Sequence, residues 1–313
     1  MQWLSSYEGD LGQAFTKAEH ILSGLPTTFS QPALAYLDKF HVLKADSSKN
    51  YICYLLPFWL QDNSGVSIND CRNFAVANIF GMMYYHLIDE LMDEPEAKSA
   101  HQLPLANLIH FEFTQIYSNY FPSDSPFWSY YKKYVTEWAE AVTHEQHRDY
   151  FQEAPSAIAH KASPVKLSIV SSLLLIEHDN QEELIPLFED AVDTVLITLQ
   201  MLDDWKDWEK DLQEGSYNCL ISMVQSNLQI HKARRPTHEE ITQALYASVL
   251  LSHYAQRAET HHESLRIIEP YAPRLYEFHA YLCQNIHEGA NHIEKERNLL
   301  QQGGLAYWLS KNS

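Results

Sequence analysis

VDTVLITLQMLDDWKDWEKD, residues 192–211, decides how this sequence folds. The run up to Leu202 is too apolar for a surface helix, so it reads as a core helix whose last turns open into a cavity. There the sequence turns acidic, at Asp203, Asp204, Asp207 and Asp211. A second stretch repeats the pattern: FGMMYYHLIDELMD, residues 80–93, closes an apolar run with Asp89, Glu90 and Asp93. Carboxylates are costly at such places. They crowd one another at the partly negative end of a helix, and bound cations are what readily offsets that charge.

Each helical residue turns about 100°, so Gln200, Asp203, Asp204, Asp207 and Asp211 fall within one arc. The same arithmetic groups His86, Asp89, Glu90 and Asp93, with Tyr85 one turn above Asp89. Magnesium takes hard oxygen ligands and keeps several waters, so it is usually shared between a few carboxylates and substrate phosphates. Two carboxylate stripes of this kind read as a magnesium trap for a diphosphate. An acidic run on a helix is ordinarily a solvated face. Here both clusters follow apolar runs, both lie mid-chain at helix ends, and the second continues to Asp211 on the same face.

Working outward, apolar residues recur at three and four spacing nearly everywhere, and the chain has only nine glycines. The class is therefore all-α, with helices expected at 6–23, 32–44, 49–62, 68–93, 103–120, 126–150, 165–178, 181–212, 216–227, 237–268 and 270–300 and in a short tail segment. Breaks fall at Leu25-Pro26, Asp62-Asn63-Ser64-Gly65, Phe121-Pro122, Ser163-Pro164, Gly215-Ser216, Arg235-Pro236 and Gly303-Gly304. None is long enough for a domain linker, so residues 1–313 are expected to form one helical bundle.

With 22 basic against 41 acidic residues the net charge is −19, a field that repels nucleic acid and anionic lipid. No apolar run reaches membrane-spanning length, so no membrane insertion is expected. The N-terminus MQWLSSYEGDLG lacks a signal-peptide pattern, and Cys53, Cys71, Cys219 and Cys283 form no CxxC pair or zinc spacing. A reduced cytoplasmic protein is expected. Each His-Glu pair lacks the second histidine of HExxH, which removes zinc hydrolase chemistry. Arg234-Arg235 reads as a solvated basic turn.

The segment Gln200-Met201-Leu202-Asp203-Asp204 with Asp207 resembles the FQxxDDxxD motif of trans-isoprenyl diphosphate synthases. Asp203, Asp207 and Asp211 equally match the metal-ligand spacing of class I terpene synthases. Asp89-Glu90 with Asp93 is similar to the family's first aspartate-rich motif, with Glu for the second Asp, and Ala159-His160-Lys161-Ala162-Ser163 to its Lys-Thr-Ala segment. The resemblance spans about residues 45–220. It implies the isoprenoid synthase fold with a central apolar cavity and three magnesium ions held by Asp89, Glu90, Asp93, Asp203, Asp204, Asp207 and Asp211. It also implies that Lys161 contacts the diphosphate, as a weaker parallel does for Lys295, Arg297 and Tyr307. Tyr84 and Tyr85 stand where bulky residues shorten the prenyl pocket, which points to a C10 to C15 substrate, and a homodimer is compatible.

The departures carry as much weight. The family's GGKRxRP segment, which binds a second diphosphate, corresponds to Ser48-Lys49-Asn50-Tyr51-Ile52-Cys53, leaving Lys49 as the one cation there. The arginine pair after the first motif is absent from Glu94-Pro95-Glu96-Ala97-Lys98, and Gly215-Ser216-Tyr217-Asn218 stands where the family often has Gly-Lys. A highly charged second substrate needs several cationic donors. The expectation is therefore a class I terpene synthase that ionises one prenyl diphosphate and lets the cation cyclise or meet water within aromatic walls. The alternatives are a prenyltransferase and, last, a non-catalytic prenyl-binding partner subunit.

Overall fold

The structure is a computed structural model that describes residues 1–61, 65–93, 99–144, 150–176, 180–231 and 234–301. It is all-α: no strand occurs among the described residues. The longer helices are α1 (Glu8–Ser23), α2 (Thr27–Asp38), α3 (Tyr51–Trp59), α4 (Ile68–Asp93), α5 (Ser99–Ser118), α6 (Phe127–His144), α7 (Leu167–Leu175), α8 (Gln181–Glu214), α9 (Cys219–Asn227), α10 (His238–Ala247), α11 (Leu250–Ser264) and α12 (Pro273–Gln301).

The contacts gather into two compact units. One takes in Met1–Val142, Ala162–Asp190 and Ile268–Leu275; the other takes in Thr143–Lys161, Ala191–Ile267 and the described residues from Tyr276 on. In the first unit α4 is the central helix. Phe74, Ala75, Val76, Ala77, Ile79, Phe80 and Met83 are wholly enclosed, which is why its sequence is apolar on more than one face. Gly81 lets the Phe113 ring of α5 come to 3.0 Å from where a Cβ would stand, so a side chain there would separate the two helices. The adjacent α3 is buried at Ile52, Tyr54, Leu55, Leu56, Phe58 and Trp59, and the Trp59 indole donates to the Trp3 carbonyl at 2.9 Å.

In the second unit the last turns of α8 pack against α12 at Gly289. A Cβ on that glycine would fall 2.6 Å from Trp205 Nε1, so the approach requires glycine. Tyr254 of α11 donates its hydroxyl to the Met201 carbonyl at 2.8 Å, pinning the turn of α8 that precedes the aspartate pair.

Two helices differ from expectation. The helix expected at 32–44 runs Thr27–Asp38, starting directly after Pro26, whose extended backbone ends the preceding turn, and carrying Pro32 inside it. The helix expected at 237–268 is interrupted at Ser248, whose backbone is extended at φ −120° and ψ 174°. Its hydroxyl donates to Ala244 O at 2.6 Å and accepts from Leu250 N at 3.2 Å, closing one helix and taking up the first N–H of the next. Serine side chains compete with the helical backbone in this way, a local choice that hydrophobic periodicity does not register.

Candidate active site

The first acidic segment belongs to the first unit. Along α4 Leu87 is still buried after Met83, whereas Tyr84, Tyr85, His86, Ile88, Asp89 and Glu90 are all partly exposed. Glu90 leans toward α2, 3.6 Å from the Lys39 ammonium. Asp89 and Glu90 both act on Tyr36: its phenol is pushed above its ordinary range by burial first and by Glu90 and Asp89 after it. Burial foremost lowers the His86 pKa, against Asp89 and Glu90, and the ring lies against Phe40. The side chain of Asp93 and residues 94–98 lie outside the described residues.

Above Asp89 the two tyrosines join an aromatic group. Tyr84 meets His110 at 4.5 Å between ring centroids, Tyr85 meets Trp138 at 4.7 Å, and His110 Nε2 lies 3.0 Å from the Tyr131 hydroxyl. Lys49 is engaged elsewhere. Its ammonium donates to Val42 O at 2.9 Å, to Lys44 O and to Ser47 Oγ at 3.2 Å, so all three of its N–H bonds close the turn before α3.

The second acidic segment belongs to the second unit. Asp203 and Asp211 are partly exposed, Asp207 is exposed and Asp204 is buried. Asp204 is turned inward: it accepts from the backbone N–H of Cys219 at 2.5 Å and from Gln200 Nε2 at 2.6 Å. Its carboxylate thus caps the first turn of α9, where unpaired N–H groups and the positive end of the helix favour an anion. Gln200 is held by that bond.

At the end of α8 Gly215 adopts φ +81°, a conformation glycine takes without a Cβ penalty. The N–H groups of Gly215 and Ser216 both reach Asp211 O at 3.0 Å. This reversal brings Asn218 back onto Asp211, whose Oδ2 accepts from Asn218 Nδ2 at 2.8 Å.

Charge is concentrated here. Burial foremost pushes the Asp203 carboxyl up to about 6; Lys206 opposes this, and Asp204 and Asp207 add to it. Burial also raises Asp204 and Asp211, against the hydrogen bonds each accepts. Carboxylates held above their ordinary range stabilise a cation that relieves them.

Asp203, Asp207 and Asp211 stand four residues apart, a rise of about 6 Å per step, so they string along the helix instead of closing on one point. Accordingly, no three acidic, imidazole or thiol groups among the described residues gather around a single ion position. The donor set fits magnesium ions that take one or two carboxylates each and complete their shells with water and phosphate oxygen.

Lys161 reaches this neighbourhood. Burial and then Asp204 raise the Cys219 thiol well above its ordinary range, while Arg257 and Lys161 pull it down, so both cations lie within electrostatic range of the Asp204 cap. Arg257 stacks on Phe151, its guanidinium carbon 3.8 Å from the ring centroid, and donates to Phe151 O at 2.9 Å. The sequence reading passed over Arg257 because no local motif marks it. It also passed over Asn218, whose signal was readable: an Asn directly before an apolar helical run is a helix cap.

Arg297 serves the break between α10 and α11, donating to Ser248 O at 3.3 Å and to Glu294 at 3.1 Å. Tyr307 lies outside the described residues. No helix among the described residues is long and apolar enough to cross a membrane.

No protein-family model and no curated protein matches the sequence. Among solved structures the chain is similar to a geranylgeranyl pyrophosphate synthetase from the archaeon Geoglobus acetivorans. The TM-score is 0.65 at 18% identity, over 88% of this chain and 98% of that one. With that likeness joined to its all-helical architecture, the chain has the isoprenoid synthase fold.

Proposed function

We propose that this chain is a magnesium-dependent enzyme that ionises an allylic prenyl diphosphate and passes the prenyl group to a second substrate. The observation that carries the reading is the likeness, over nearly the whole of both chains, to a solved prenyl diphosphate synthetase. This supports transfer over the cyclisation expected from the sequence. The acidic stretch of α8, with its raised carboxylates, supports a cation-dependent step.

In this reading Asp89 and Asp93 of the first segment and Asp203, Asp207 and Asp211 of the second hold magnesium; Asp204 serves as the cap of α9. When bound, magnesium supplies Lewis acidity to the departing diphosphate. Lys161, with Arg257 nearby, stabilises negative charge as the allylic C1–O bond breaks and its electron pair leaves with the diphosphate. Tyr84 and Tyr85 are the bulky residues that would limit the prenyl chain to C10 to C15, and aromatic side chains suit the shielding of an allylic cation from water. An acceptor alkene then forms the new C–C bond at C1 and loses a proton.

A second reading is favoured by one observation. Lys49, the sole cation of the segment that would bind a second diphosphate, is spent on backbone carbonyls and a serine hydroxyl. That supports either an uncharged acceptor or cyclisation of a single substrate.

The test is to incubate the protein with magnesium and geranyl or farnesyl diphosphate, alone and with isopentenyl diphosphate or an apolar acceptor. Product that needs the second component supports transfer, and product from one substrate alone supports cyclisation. No diphosphate release in any mixture would refute both.

A further inference from the structure

Asn218 uses its whole hydrogen-bonding capacity at the join between α8 and α9. Its Nδ2 donates to Asp204 O at 2.9 Å and to Asp211 Oδ2 at 2.8 Å. Its Oδ1 accepts from Leu220 N at 2.9 Å and Ile221 N at 3.1 Å. Two donors and two lone pairs are thus all engaged. The amide orientation follows by necessity: turned over, its NH2 would face two N–H donors and its oxygen would face a carbonyl and a carboxylate. At 2% exposure, water does not compete for these bonds.

Asp211 is partly exposed and projects from the last turns of a long helix, where an aspartate ordinarily samples several rotamers. Here one of its oxygens is tied to a side chain that is itself locked by the first turn of another helix. The other oxygen accepts no protein hydrogen bond among the described residues. Asp204, two turns earlier on the same face, is fixed by the same junction through its own carbonyl and through Cys219 N.

We infer that Asn218 is a positioning residue for a cation at the acidic end of α8: it holds Asp211 in the rotamer that presents its second oxygen to magnesium, and so couples that site to the N-terminus of α9. The inference rests on the proposed magnesium role of Asp203, Asp207 and Asp211. Groups that orient a metal ligand in this way change metal affinity by about 10- to 100-fold when removed.

Asn218→Ser keeps a helix-capping oxygen and removes both N–H donors. The measurement is calorimetric titration of inorganic pyrophosphate at a series of magnesium concentrations, beside a thermal melt without metal. The expected result is a folded variant that needs about tenfold more magnesium for half-maximal pyrophosphate binding. In an Asp211→Asn background the same substitution is expected to add no further increase, because its effect passes through Asp211. A purely structural role would give additive increases, and that result overturns the inference. An unchanged magnesium requirement in Asn218→Ser overturns it too, while leaving the proposed function standing. Absence of magnesium-dependent pyrophosphate binding by the unsubstituted protein overturns both together. Asn218→Thr, which also caps, carries the same comparison if the serine variant does not fold.

Discussion

Replacing Asp204 separates architecture from chemistry, because it is the one carboxylate of the α8 cluster that is buried and bonded on both sides. In Asp204→Ala the Cys219 N–H, on a residue with 0% exposure, loses its acceptor at 2.5 Å, and Gln200 loses its partner at 2.6 Å. The orphaned donor is itself the lost helix cap, one bond whose loss costs about 1–3 kcal/mol. Removing a carboxylate whose pKa is raised by burial returns part of this. The expected net loss is about 2 kcal/mol, near 3 °C in melting temperature for a chain of this size. Asp204→Asn keeps an oxygen for Cys219 N–H, and Gln200 can turn its amide to suit, so about 1 kcal/mol is expected. The decisive comparison is functional. Asp203→Asn should abolish magnesium-dependent pyrophosphate binding, whereas Asp204→Asn should retain it. Thermal melts and calorimetric titration of the three variants check this. If Asp204→Asn folds normally and binds no pyrophosphate, or if Asp204→Ala melts with the unsubstituted protein, the assignment of Asp204 to the α9 cap is refuted.

Acid should weaken the second unit through a buried histidine chain: His261 Nδ1 and His279 Nε2 both lie 2.9 Å from Thr198 Oγ1, and His262 Nδ1 lies 3.1 Å from His279 Nδ1. Burial foremost lowers His279 to about 3, with His262 and His261 adding; burial and then Arg257 lower His261 to about 4. Both are neutral when folded and protonate near 6.5 when unfolded. Their stability is therefore complete above pH 6.5 and falls below it, to about pH 4 for His261 and about pH 3 for His279, by about 1.4 kcal/mol per pH unit for each histidine. Urea midpoints at pH 7 and 5.5 should show His279→Gln to be less pH-sensitive than the unsubstituted protein; equal sensitivity contradicts the reading. Gly289→Ala should displace the Trp205 indole and cost about 1–3 kcal/mol, read as a shift in tryptophan emission and a lower melting temperature. Lys49→Met should lower stability by about 1 kcal/mol and leave pyrophosphate binding unchanged. Loss of that binding would return Lys49 to the diphosphate.

The all-α class and the two acidic helix ends were legible in the sequence because both are local: a helical period and a cluster of like charges lie within one element. Residues 192–211 announce the acidic end of α8 without any other part of the chain. What each carboxylate does was not legible, since Asp203 and Asp204 differ by one helical step and read alike. Tertiary structure divides them. Asp204 is claimed by Cys219, 15 residues on, and Arg297 by Ser248, 49 residues away. Lys49 resembled a substrate contact until the turn around it took all its donors. The physical reason is that a polar group pairs with whatever partner the folded chain brings to it, and sequence spacing carries no record of that pairing.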